Sequence, residues 1–222
     1  MRPRRGGLAV VVIGLGLLIP LTLAVHFAYA VWPWPGPSRG AGPLREVVMI
    51  ERGRVEALAA NASINLIGST LEWTYRIAFV WTGLDGFMRS AMEPPAEAGA
   101  DEAARRMAIG TQELTGAFYW SVQLIGLRLG VLLVSLPLFL IAGIGAAVDG
   151  AAAWYLRRTS VGRESGFIYH RAKFALWIAL FSLWAVYLVP PIALDPRTLI
   201  PTFLVIFALA VRFSVSWFKK YL

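Results

Sequence analysis

Long uncharged apolar runs alternate with polar stretches along this 222-residue chain, and the length of each run sets the element it predicts. A helix that crosses a bilayer needs about 20 mostly apolar residues. Residues 8–31, 129–148 and 174–194 each supply such a run without an ionised side chain. Residues 198–218 supply a fourth, interrupted by Arg212 close to Lys219 and Lys220. The long stem of Arg212 lets its charge snorkel to the headgroups. The pattern predicts an all-α membrane protein with four transmembrane helices.

Between the first and second runs lies a polar region, residues 32–127, where the periodicity is helical but amphipathic. Pro33-Trp34-Pro35-Gly36-Pro37 stops the first helix and Pro43 sits where another begins. Apolar or small residues recur at Leu44, Val48, Val55, Leu58 and Ala62, and again at Trp73, Ile77, Val80, Leu84 and Phe87. Spacing by threes and fours reads as one long amphipathic helix or two in series. Glu72 and Arg76, an i, i+4 pair, argue against a fifth span over 64–82. The Pro-, Glu- and Ala-rich stretch 93–100 is a linker, and Asp101 is placed to cap a helix running without proline to Leu136. The expectation is an extracytoplasmic helical hairpin region that continues into the second span.

Charge orients the chain. Arg2, Arg4 and Arg5 precede the first run in a basic tail at 1–7, and Lys219 and Lys220 begin the tail at 219–222. Residues 157–173, within the segment 149–173, carry five cations against one acid, Glu164. Short basic segments stay in the cytoplasm, so with four spans both termini are cytoplasmic. The region 32–127 holds eight Arg and ten acids, with no basic excess. A signal peptide cleaved after Ala28-Tyr29-Ala30 is the rival reading of the N-terminus, but the run exceeds a secretory core of about 7–15 residues. Trp32 and Trp34 also suit the interface of a retained anchor. Such a chain is expected to cross a membrane several times.

Composition supports this picture and removes several chemistries. The chain is 58% hydrophobic and 15% charged, with nine Trp and a mean hydropathy of +0.63. Its net charge of +8 sits beside apolar spans, where anionic lipid explains it better than direct nucleic-acid contact. With no cysteine, and only His26 and His170 as imidazoles, no metal site or cofactor is expected. No phosphate-binding glycine loop or zinc-protease motif is present. Ser165 and His170 could serve a hydrolase only if the loop folded them together and Glu164 oriented them, so the chain is read as a non-enzyme.

Three constellations remain. Gly126 and Gly130, followed by Gly143 and Ala147, put small residues where another helix can approach, by packing among the spans or in a homo-oligomer. Arg128 reads as a snorkelling anchor at the membrane boundary, and Arg212 as either an anchor or the partner of Asp149 in a structural charge pair near the inner face. The segment 149–173 combines Arg157, Arg158, Arg163, Glu164, Phe167, Tyr169, His170, Arg171 and Lys173, with Gly162 and Gly166 bracketing a turn. It is either a lipid-facing basic loop with interfacial aromatics or a docking surface for a partner.

The string Asp149-Gly150, Arg157-Arg158 and Gly162-Arg163-Glu164-Ser165-Gly166-Phe167-Ile168-Tyr169-His170-Arg171-Ala172-Lys173, with spans on either side, resembles the inner-membrane proteins of integrating conjugative elements and related plasmids that carry the domain of unknown function 4400. The resemblance covers nearly the whole chain. It implies an inner-membrane component of a conjugative type IV secretion system, with the coupling-protein ATPase or other mating-apparatus membrane proteins as partners besides the lipid bilayer. A membrane scaffold that docks or stabilises the coupling protein is the leading expectation. A small transporter or channel is the alternative, weakened by the absence of a polar pathway through the spans.

Overall fold

The computed structural model describes residues 6–32, 40–57, 61–87, 102–159 and 166–217, and among them every regular element is helical. In chain order these are α1 (Gly6–Val31), α2 (Gly42–Glu56), α3 (Asn61–Tyr75), which runs on into a π-helical turn (Arg76–Val80), α4 (Glu102–Thr159), α5 (Gly166–Leu188) and α6 (Pro196–Ser216). Two of them, within Gly110–Thr159 and Pro196–Ser216, are long and apolar enough to cross a membrane, and shorter apolar segments occur at Gly16–Val31 and Phe174–Leu188.

Contacts divide the chain into two units. The first comprises the described residues up to Val131 together with Tyr187–Leu194. Its core forms where α1, α2 and α4 bring small and branched side chains together: Ala30, Leu44 and Ala117 in one cluster, Val47, Val48 and Leu124 in the next. Pro43 sits in the first turn of α2, which its fixed φ suits. Ala41, its N-cap, has no side chain to bond the free amides, and Glu113 of α4 accepts from the Ala41 N–H at 2.8 Å instead. Gly40 makes this possible: its φ is +66°, and a side chain there would meet the Glu113 carboxylate. A third cluster joins Phe79 and Val122 with Leu23, Phe118 and Tyr119, the Phe79 and Phe118 rings lying edge to face at 5.4 Å.

The second unit comprises Leu132–Val186 and the described residues from Asp195. Asp195 caps α6, its carboxylate accepting from the Arg197 N–H at 2.9 Å, and Pro196 occupies the first turn. Phe139 of α4 packs edge to face on Phe207 of α6 at 5.5 Å.

Several expected boundaries shift. The basic segment 149–173 is mostly helical: α4 runs to Thr159 because nothing between Asp149 and Arg158 breaks a helix, and α5 starts at Gly166. The third apolar run ends its helix at Leu188 rather than 194, since Pro190 and Pro191 cannot continue it. The two amphipathic sets in 32–127 also part company. Leu44, Val48 and Val55 are buried, whereas Trp73, Ile77, Val80, Leu84 and Phe87 are all exposed. The capping role of Asp101, the 93–100 linker, Trp34 and the basic residues of both tails lie outside the described residues.

Candidate functional site

The most elaborate polar arrangement in the first unit is built on Arg128, which is fully buried. Burying a guanidinium is costly unless its charge is paired and each N–H has an acceptor. Both conditions are met. Glu51 of α2 receives Nε at 3.1 Å and Nη2 at 2.6 Å in a two-pronged pair. Nη1 donates to the carbonyls of Leu188 and Pro190 at 3.0 and 2.7 Å, and Nη2 to that of Ile192 at 2.7 Å. A guanidinium has five N–H donors, and these bonds engage all five. Glu51 Oε1 also accepts from the Leu194 N–H at 2.9 Å, and the Tyr187 ring lies 5.6 Å from the guanidinium carbon.

Sequence and structure meet here in a specific way. Helix α5 ends at Leu188, and the two prolines that follow leave a non-helical connection whose carbonyls at 188, 190 and 192 converge on Arg128. Arg128 satisfies those carbonyls and Glu51 satisfies an amide, so the pair fastens the α5–α6 connection to α2 and α4. Arg128 is thus no snorkelling anchor. Its charge is neutralised inside the protein because α2 delivers a carboxylate to it. Glu51 had a visible sequence signal: it occupies the apolar stripe of Leu44, Val48 and Val55, where a charge survives only with a buried partner. His26 of α1 is also fully buried, with Arg128 and the Leu188–Val189 backbone among its polar surroundings and no hydrogen bond to either ring nitrogen among the described residues. With every donor of Arg128 engaged, the site holds backbone in place and offers no free guanidinium N–H to a ligand.

The small residues act within the chain. A Cβ on Gly130 would lie 2.9 Å from the Ile67 Cα, and one on Gly126 would strike the Thr74 hydroxyl and come within 3.2 Å of the Leu71 Cα. The helix approaching this face is α3, not one of the four expected spans. In the second unit a Cβ on Gly143 would sit 3.2 Å from the Phe207 ring, and Ala147 is half-buried. Gly150, whose packing role the pattern of small residues does not signal, is tighter: its Cβ would meet the Arg212 carbonyl at 2.7 Å. This close approach accompanies an ion pair between Asp149 Oδ2 and Arg212 Nε, both side chains about half exposed.

The residues gathered for partner docking separate. Arg157 is occupied: it donates to the Ser216 carbonyl at 2.8 Å and stacks on Trp217, 3.8 Å from the ring centre, closing the C-terminal end of α6. Arg158 is exposed and lies over Trp154 at 5.3 Å. Arg171 is exposed on α5, and Phe167, Tyr169, His170 and Lys173 belong to the first turns of the same helix. Arg163 and Glu164 lie outside the described residues, as does Ser165. No group of three His, Asp or Glu side chains able to hold a metal ion occurs among the described residues.

No curated relative and no solved structure matches the chain. Residues 31–219 match the family described as IncC plasmid conjugative DNA transfer protein DtrJ-like. The match supports the conjugative process that the resemblance implied, under a plasmid-transfer description rather than that of the domain of unknown function 4400. Since it spans far more than half of the sequence, from the end of α1 past the end of α6, the chain belongs to the DtrJ-like family of conjugative DNA transfer proteins.

Proposed function

We propose that the chain is a non-enzymatic inner-membrane component of a conjugative type IV secretion apparatus, crossing the membrane four times with both termini cytoplasmic, and that its basic segment docks the coupling protein. The observation that carries this reading is the coincidence of a conjugative-transfer family match over 31–219 with helices of spanning length and apolarity. Helix α6 meets both criteria. Helix α1, of 26 residues, rises about 39 Å, beyond the roughly 30 Å of a hydrocarbon core, whereas the apolar part of α5, Phe174–Leu188, rises only about 22 Å and crosses only with its basic first turns included. Their sequences are apolar apart from the first turns of α5, which bear His170, Arg171 and Lys173.

Docking is argued from the chemistry of the basic segment. Arg157 serves the fold, so the test falls on Arg163 and Glu164. Lipid attraction depends on net charge, whereas a protein surface built on guanidinium geometry distinguishes Arg from Lys. Arg163→Lys and Glu164→Gln are therefore expected to leave insertion and abundance near normal while lowering DNA transfer and crosslinking to the coupling ATPase. Normal transfer in both variants, with loss only when several cations are removed together, overturns docking in favour of a lipid-facing loop.

A further inference from the structure

Helix α3 is apolar on two faces, and the protein covers one of them. On the covered face Ile67 and Phe79 are 5% and 0% exposed, and Leu71 and Thr74 lie against Gly126. On the other, Leu66, Trp73, Ile77 and Trp81 are 45%, 54%, 51% and 67% exposed. The π-helical turn Arg76–Val80 aligns this second face. In an α-helix, residues eight apart diverge by about 80° around the axis. A π turn takes in one extra residue and removes most of that divergence. Trp81 thus returns over Trp73, the two rings edge to face at 6.0 Å.

The contacts of α3 fix its direction. Ile67 faces Gly130, Leu71 and Thr74 face Gly126, and Phe79 packs with Phe118 and Val122, so α3 runs antiparallel to α4 with its first turns level with Gly130. Gly130 lies within the segment of α4 read as spanning, 129–148. Leu23, inside the apolar run of α1, joins the same cluster as Phe79. Taken from α4, Leu66 and Ile67 lie level with the outer end of the span and Trp73 about one turn above it, because Leu71 and Thr74 face Gly126; taken from α1, whose apolar run contains Leu23, the stripe lies deeper. Helical side chains lean toward the N-terminus of their helix, which aims the two tryptophans back at that boundary. The Glu72–Arg76 pair, at 2.6 Å, neutralises itself on a different flank.

We propose that the Leu66–Trp73–Ile77–Trp81 stripe is a lipid-contact surface, seated at the boundary between headgroups and acyl chains of the outer leaflet. The inference rests on the membrane-spanning reading above. Tryptophan suits that boundary because its ring is apolar and its N–H is met by headgroups and water. A stripe seated at that boundary needs no protein to cover it.

The absence of cysteine permits a direct test, since one introduced thiol is unique in the full-length chain. Trp73→Cys and Ile77→Cys would each be spin-labelled in liposomes of phosphatidylethanolamine and phosphatidylglycerol. Collision with oxygen is compared with collision with a polar nickel chelate. Leu140→Cys, 65% exposed on α4, supplies the lipid reference and the exposed Arg158→Cys the aqueous one. At both test sites the oxygen-to-nickel ratio is expected several-fold above that of Arg158→Cys and below that of Leu140→Cys. Ratios equal to the aqueous reference overturn the proposal. So does poor access to both reagents, which would mark a stripe covered by a second copy or another protein. An aqueous ratio at Leu140→Cys would instead overturn the spanning reading itself, and this surface with it.

Discussion

Arg128 shows how a single residue can carry an architectural task, because its five donors bind a carboxylate on α2 and three carbonyls of the α5–α6 connection. Removing one member of a buried pair strands the other charge, at a cost of about 3–5 kcal/mol. Glu51→Leu and Arg128→Leu are each expected to lower the unfolding temperature sharply in detergent. Glu51→Leu combined with Arg128→Leu should be no worse than the poorer single variant, since no charge is then stranded. Recovery stays partial because the carbonyls at 188, 190 and 192 and the Leu194 amide lose their partners. Losses that simply add would show that the two side chains do not depend on each other. Asp149 and Arg212 provide the contrast, their side chains being 58% and 45% exposed. A pair so open to its surroundings is worth at most about 1 kcal/mol. A double-mutant cycle with Asp149→Asn and Arg212→Gln, read by the same assay, should give a coupling several-fold below that of Glu51 and Arg128.

At the scale of elements, packing turns on where α4 lacks side chains. A Cβ at Gly130 would press on the Ile67 Cα at 2.9 Å, and backbone cannot rotate aside as a side chain can. Gly130→Ala should therefore cost about 1–3 kcal/mol through overpacking and loosen α3, seen as faster proteolysis within 61–87. Gly145, in the same helix, has open space where its Cβ would be, so Gly145→Ala should be neutral or gain up to about 1 kcal/mol from helix propensity. Equal damage from both would refute the packing account. The sequence disclosed these elements unevenly. Apolar runs marked α1, α4, α5 and α6 because length and composition suffice for such helices, and the stripe on α2 marked its buried face. The outward stripe on α3 was read as one amphipathic face because periodicity gives the angle of a stripe but not what covers it. The 77-residue separation between Glu51 and Arg128 hid their pairing, although a carboxylate inside an apolar stripe was a legible sign that some cation had to reach it.

For the whole molecule the decisive length is that of α4, whose 58 residues extend about 87 Å at roughly 1.5 Å per residue. On the proposed spanning reading a hydrocarbon core accounts for only some 30 Å of this, which leaves most of α4 outside it. Its charges say which parts. Glu102, Arg105 and Arg106 stand near the first end, Asp149, Arg157 and Arg158 near the last, and between Arg128 and Asp149 no ionised residue occurs. Arg128 is neutralised by Glu51, so the uncharged stretch is the part of α4 that can sit in lipid. If α4 descends from the outer face to the cytoplasm, a reporter enzyme active only outside the cytoplasm should work when fused after Gly99. It should be silent after Ser160 and after Leu222, where a reporter active only inside should work instead. The basic residues flanking 160 make this the expected sense, because short cationic segments resist translocation. Cytoplasmic activity at Gly99 would reverse α4 and place the Arg158 and Arg171 surface on the side of the membrane where no coupling ATPase can reach it, so this fusion tests the orientation and the docking proposal together.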